Sequence, residues 1–144
     1  MSGADPDSRP VPAHQVSQSA PATEEAAKAN EVYKQVVLLQ PNNGRAWYRL
    51  AVSLHALDKQ DEAIAAYQKS MEAGSPPGIT EYGIALAYAA KHDTENTFQY
   101  LQRAVHDGSS EPDRLSNDEE LSSLRSDARF AKIVEIRRAL ARLT

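Results

Sequence analysis

The 144-residue chain contains no cysteine. That excludes disulfide frameworks, thiolate nucleophiles and cysteine-ligated zinc, and leaves the redox compartment open. No stretch approaches the ~18 consecutive apolar residues of a membrane span. The opening residues, MSGADPDSRP, carry neither the basic nor the apolar region of an export signal. The expectation is a cytoplasmic protein without membrane contact, the mature end of an exported protein being the alternative. Excess positive charge is also missing: the formal net charge is -4 and the pI about 5.5. No sustained field favours nucleic acid.

The usual catalytic signatures are absent as well. Neither GxGxxG nor GxxxxGK occurs, so no glycine loop is available to cradle a phosphate. The four histidines, His14, His55, His92 and His106, form no i, i+4 pair and stand at no metal-ligand spacing from a carboxylate. Ser109 and Ser110 follow Gly108 without a GxSxG elbow or a positioned histidine. The chain therefore reads as non-catalytic, with no metal and no cofactor.

What is present is a change of composition followed by a period. Residues 1–22 hold Pro6, Pro10, Pro12 and Pro21 among Ser, Gln and Ala, too little apolar surface to offset the entropy of ordering. They are expected to form a flexible tail. From Thr23, a plausible N-cap, Ala29, Val32, Tyr33, Val36 and Leu39 recur at helical spacing until Pro41. Trp47, Leu50, Ala51, Leu54 and Leu57 trace a second helix, and Ala63, Ile64, Tyr67 and Met71 a third. After the break at residues 74–78, a fourth helix carries Ile79, Ile84, Ala85, Leu86 and Tyr88, and a fifth carries Phe98, Leu101, Ala104 and Val105.

These helices repeat every 34 residues: Tyr33, Tyr67 and Leu101 correspond, as do Ala29, Ala63 and Thr97, and Leu54 and Tyr88. A fixed period of this length marks stacked helical units, each too small to bury its own apolar face, which together make a slab with a concave side. The repeat stops after Gly108. Residues 109–117 are expected to be a loop, Leu115, Leu121 and Leu124 to anchor a short turn, and a last helix to run from about Asp127 to Leu143. In that helix Phe130, Ile133, Val134, Ile136, Leu140 and Leu143 cover a broad apolar arc, predicting contact with two neighbours. Arg137 falls inside the arc and should seek a carboxylate or carbonyl. The cluster of Arg137, Arg138 and Arg142 complements the negative end of a helix dipole, an anion or membrane patch being the alternative.

Trp47, Leu50, Ala51, Leu54, Ala63 and Tyr67, then Ile84, Ala85, Tyr88, Thr97, Leu101 and Ala104, resemble the tetratricopeptide repeat with its pattern W-x2-L-G-x2-Y, A-x3-F and P. Glu81 stands where that pattern has a large apolar residue, and Ser75 where it usually has proline. Residues 115–130 resemble the closing element of many bacterial arrays, "D-x-x-L-x-x-L-R-x-D-x-R-F". The resemblance implies an all-α array: a half repeat over 23–41, repeats over 44–77 and 78–111, and a closing segment over 112–144.

It further implies a protein-protein interaction module. The first helix of each unit would line a concave groove, placing Arg45, Tyr48, Arg49, Val52 and His55 from one unit and Ile79, Tyr82, Leu86 and Ala89 from the next. Tyrosines and aliphatics there suit an apolar peptide or helical segment better than a carboxylate-terminal tail. Two alternatives stay open: the chain's own tail or last helix covers the groove, or the protein is a structural subunit that self-associates, as in a homodimer.

Overall fold

The computed structural model describes residues 20–108 and 112–143. The expected tail lies outside the described residues as far as residue 19, as do His14, Ser109 and Ser110. Among the described residues seven α-helices and one short 3-10 helix follow one another, with no strand: α1 (Ala20–Leu39), α2 (Gly44–Ala56), α3 (Gln60–Glu72), α4 (Pro77–Ala90), α5 (Thr94–His106), α6 (Pro112–Asn117), the 3-10 helix (Glu119–Leu124) and α7 (Ala128–Arg142). Helix α1 starts three residues before the expected Thr23, with Pro21 in its first turn. Proline is tolerated there because the leading N–H groups have no intrahelical acceptor.

The period seen in the sequence is also written into the backbone. The turns joining α2 to α3 and α4 to α5 each place a residue in the left-handed region, Asp58 at φ 60° and His92 at φ 62°. Gly74 and Gly108, at φ 102° and 78°, occupy the matching ends of α3 and α5. Each pair is one repeat apart. The left-handed conformation reverses the chain so that the following helix lies back along its predecessor.

Side chains cap the starts of α2, α5 and α7, whereas α3 and α4 begin without a side-chain cap. Asn43 Oδ1 accepts from the Ala46 N–H at 2.9 Å to cap α2, and Asp93 Oδ1 accepts from Asn96 N–H at 3.2 Å to cap α5. Asp127 Oδ1 accepts from Arg129 N–H at 2.9 Å to cap α7.

Consecutive helices pack pairwise, so the core runs along the array instead of forming one centre. Its N-terminal part holds Val37, Ala46, Leu50, Ala51, Leu54, Ala63, Ile64 and Tyr67. Its C-terminal part holds Tyr82, Leu86, Phe98, Leu101, Val105, Leu115, Leu121, Phe130 and Ile133. Helix α4 serves both, and its residues from Thr80 to Ala87 are buried without interruption. Such all-round burial is what a central helix shows, in contrast to a one-sided surface helix. Two residues of no volume to spare permit it: Ala51 and Ala85 are fully buried where paired helices approach.

Residues 112–117, expected to lie in a loop, form α6, whose Leu115 is fully buried beside Leu121 of the 3-10 helix. Helix α7 packs on α5 and α6. Its apolar arc is only partly used: Phe130, Ile133 and Val134 are buried, while Ile136, Leu140 and Leu143 stay exposed. Arg129 ties α7 to α5, donating to Glu95 at 2.7 Å with its guanidinium 4.5 Å from the Phe98 ring centre.

Candidate partner-binding groove

Helices α2 and α4 open successive hairpins, and the nine candidate groove residues lie along these two helices. The structure divides these nine into two groups.

Arg45, Tyr48, Arg49 and Ile79 come together with Ser75, Pro76 and Thr80 around a pocket of about 330 Å³ between α2 and α4. Val52, one turn further along α2, is exposed, and so is Ile79. Tyr48 is held from below by a T-shaped contact with buried Tyr67, ring centres 5.6 Å apart. Arg45 and Arg49 stand one helical turn apart, and neither pairs with a carboxylate among the described residues. On the other side of the same two arginines, Tyr33 and Val36 of α1 border a second cleft of about 290 Å³. The arginines thus form a ridge between two partly apolar depressions.

The other group is covered by the chain itself. Tyr82 and Leu86 are buried and pack within the C-terminal part of the core. The Tyr82 hydroxyl donates to Asp118 Oδ2 at 2.7 Å, and the Arg114 guanidinium lies 4.5 Å from its ring centre. Burial, then the Asp118 carboxylate, push the Tyr82 phenol above its ordinary range and keep it a neutral donor. His55 Nε2 contacts Glu120 Oε1, and its Nδ1 meets Gln60 Oε1 at 2.6 Å. Burial alone would lower the His55 pKa, but Glu120, Gln60 and Asp58 together outweigh it and leave the pKa raised. Ala89 packs against the same C-terminal core.

Of the two candidate covers, the last helix is not the one seen over Tyr82 and His55, and the tail lies outside the described residues as far as residue 19. The cover is the intervening stretch, α6 and the 3-10 helix. In the sequence its leucines announce core plugs, whereas nothing about Asp118 and Glu120 beyond their acidity marks them as reaching over the groove to Tyr82 and His55. Tyr33 and Val36 read as core residues and turn out to border the open half.

One further buried polar group lies beside the fold's C-terminal end. Glu81 is buried with Oε1 lacking a hydrogen-bond partner. Burial, then the nearby Asp107 carboxylate, push its pKa up to about 7, while that interaction holds Asp107 below the usual carboxylate range. No group of three or more metal-ligating side chains occurs among the described residues. No helix among them is long and apolar enough to cross a membrane.

The tetratricopeptide-repeat family model matches residues 32–65, a stretch one period long that runs from α1 through α2 into α3. No curated protein matches the sequence significantly. The repeat match and the all-helical array of paired hairpins together support a protein of the tetratricopeptide-repeat type. Arrays of that type are protein-interaction architectures and generally non-catalytic.

Proposed function

We propose that the protein is a non-catalytic interaction module that grips an acidic, partly apolar segment of another protein on the open half of its concave face. The carrying observation is the ridge of Arg45 and Arg49, unpaired among the described residues, beside the apolar pocket of Tyr48, Pro76 and Ile79. A guanidinium with no internal carboxylate keeps its hydrogen-bonding fork available, and two of them one turn apart can meet carboxylates two to four residues apart in a partner. Tyr48, fixed by Tyr67, supplies a rigid amphipathic anchor of the kind that dominates such interfaces. The covered half of the groove offers a supporting analogy, since the stretch seated there contains Asp118, Glu119 and Glu120.

The test is selection of binding peptides from a random displayed library, followed by titration. Selected peptides should be enriched in Asp and Glu around an apolar residue. Arg45→Ala with Arg49→Ala should weaken them roughly tenfold or more, about 1.4 kcal/mol for each factor of ten. Selected peptides without acidic enrichment, or unchanged affinity for the double variant, would remove this reading.

A second reading, a self-associating structural subunit, draws on α1. Val32, Leu38 and Leu39 are 56%, 75% and 82% exposed on the outermost helix of the described array. A second copy could bury them. Sedimentation equilibrium separates the two readings: a constant monomer mass removes self-association, and a dimer broken by Val32→Lys and Leu39→Lys supports it.

A further inference from the structure

A second arginine-rich surface lies away from the concave groove. A cleft of about 540 Å³ separates α7 from the segment that precedes it. Its floor is apolar, made by Phe130, Ala131 and Val134, of which the first and last are buried core residues. Arg125 stands on one wall, its Nη2 donating to the Asp118 carbonyl at 2.6 Å, and Arg138 and Arg142 stand one turn apart on the other. Glu135 and Ser116 complete the lining, so three guanidiniums face one carboxylate.

The remaining contacts of the fold sharpen this asymmetry. Arg129 pairs with Asp127 and Glu95, Arg103 lies over Tyr100, and Arg114 lies over Tyr82. Arg138 and Arg142 have no such engagement with a described residue. The helix dipole accounts for Arg142 in the last turn of α7, but not for Arg125 on a different element across the cleft.

From this geometry we propose that the α7 cleft is a docking site for an acidic segment of a partner protein, distinct from the concave groove. An apolar side chain of that segment packs on Phe130 and Val134, and its carboxylates take the forks of Arg138 and Arg142. An apolar floor between guanidiniums favours this occupant over nucleic acid, which would leave the floor without a matching group and would meet a chain of net charge -4. It also favours it over a bilayer. At 100° per residue the exposed apolar side chains of α7, Ile136 and Leu140, project from the flank opposite Arg138, so inserting them turns the cleft away from the lipid.

The probe is the fluorescein-labelled peptide acetyl-Glu-Glu-Leu-Phe-Glu-Glu-amide, titrated with the full chain and followed by anisotropy, with amide shifts locating the contact. Saturable binding is expected, with shifts at Phe130, Ala131, Val134 and Arg138. Followed in the Arg45→Ala, Arg49→Ala background so that the concave groove does not contribute, binding should weaken roughly tenfold or more on adding Arg138→Ala with Arg142→Ala, and the same loss is expected for a hexaglutamate control that lacks the apolar anchor. Both arginines are exposed, so circular dichroism should not change in the double variant. Arg45→Ala with Arg49→Ala should leave the α7 shifts intact, which keeps this proposal separate from the groove reading. The proposal is overturned if adding Arg138→Ala with Arg142→Ala leaves binding in that background unchanged, or if hexaglutamate binds equally. Tighter binding of a single-stranded RNA oligonucleotide or of phosphatidylserine vesicles would overturn it too.

Discussion

Gly83 lies in the middle of buried α4, and a methyl group added there should destabilise the array even though alanine is the better helix former. A Cβ at this position would stand 2.5 Å from Tyr67 Cζ, 2.6 Å from Cε1 and 2.9 Å from the phenol oxygen. The Tyr67 ring has nowhere to retreat: it is 4% exposed and its neighbour Tyr48 packs edge-on against it. Replacing glycine in a helix interior gains about 1 kcal/mol of backbone propensity. Overpacking a filled core costs about 1–3 kcal/mol, and a contact this short on a locked ring belongs at the upper end.

The net expectation for Gly83→Ala is a loss of about 1–2 kcal/mol, a fall of roughly 3–8 °C in melting temperature for a chain of this size. The double variant isolates the cause, since leucine at position 67 has no atom where Tyr67 has Cζ. In a Tyr67→Leu background Gly83→Ala should be neutral or stabilising, giving a coupling of about 1 kcal/mol or more in a denaturant-melt cycle. A Gly83→Ala protein that melts higher than the parent, or a cycle with no coupling, would refute the close packing of α3 on α4.

Other perturbations follow the same logic. Because the folded pKa of Glu81 is raised to about 7, its contribution to stability is fully present below its unfolded value and lost as pH rises through about 7. His55, also raised, acts in the same sense above its ordinary value. Stability should therefore decline from about pH 5 to about pH 8 in urea melts, and Glu81→Gln should flatten that decline, whereas an unchanged slope would show that Glu81 is not the titrating group. Ala51→Leu or Ala85→Leu should cost about 1–3 kcal/mol by forcing paired helices apart, and a thermal melt without loss would remove that argument. Tyr82→Phe deletes the hydroxyl bound to Asp118 and should cost roughly 1–3 kcal/mol, with faster amide exchange in the 3-10 helix as its local signature. Truncation after Gly108 should give an aggregating or unfolded protein, because Leu115, Leu121 and Phe130 then no longer cover the end of the core; an unchanged melting temperature would contradict it.

The helices and their order were legible because burial at one face imposes a period, and a period survives in a single sequence. Asp58 and His92, or Gly74 and Gly108, show the same regularity in the backbone that Tyr33 and Tyr67 show in the side chains. For the candidate groove residues, the repeat places them on equivalent helical positions but does not say which are exposed. Arg45, Tyr48, Arg49 and Ile79 come together because α2 and α4 are equivalent by repeat. Tyr82 and Leu86 are equivalent to Tyr48 and Val52 in the same frame, yet they are buried, since what covers them lies beyond the repeat and has no period to reveal its path. The pairing of Asp118 with Tyr82 spans 36 residues and depends on how α6 turns back over α4. Likewise, Glu81 breaks the apolar pattern, but only the fold brings Asp107 beside it. The apolar arc of α7 predicted more burial than occurs, because only its first half has helices to pack against.

The central claim is that the open half of the concave face, and not the covered half, receives a partner. It is tested most directly by amide chemical-shift mapping of the full chain with the tightest acidic peptide from library selection. The account predicts shifts concentrated at Arg45, Tyr48, Arg49, Val52 and Ile79, with Tyr82 and Leu86 little changed and the Asp118 contact intact. Shifts centred on Tyr82, Leu86 and residues 114–121, as a peptide displacing the chain's own cover would produce, would contradict it.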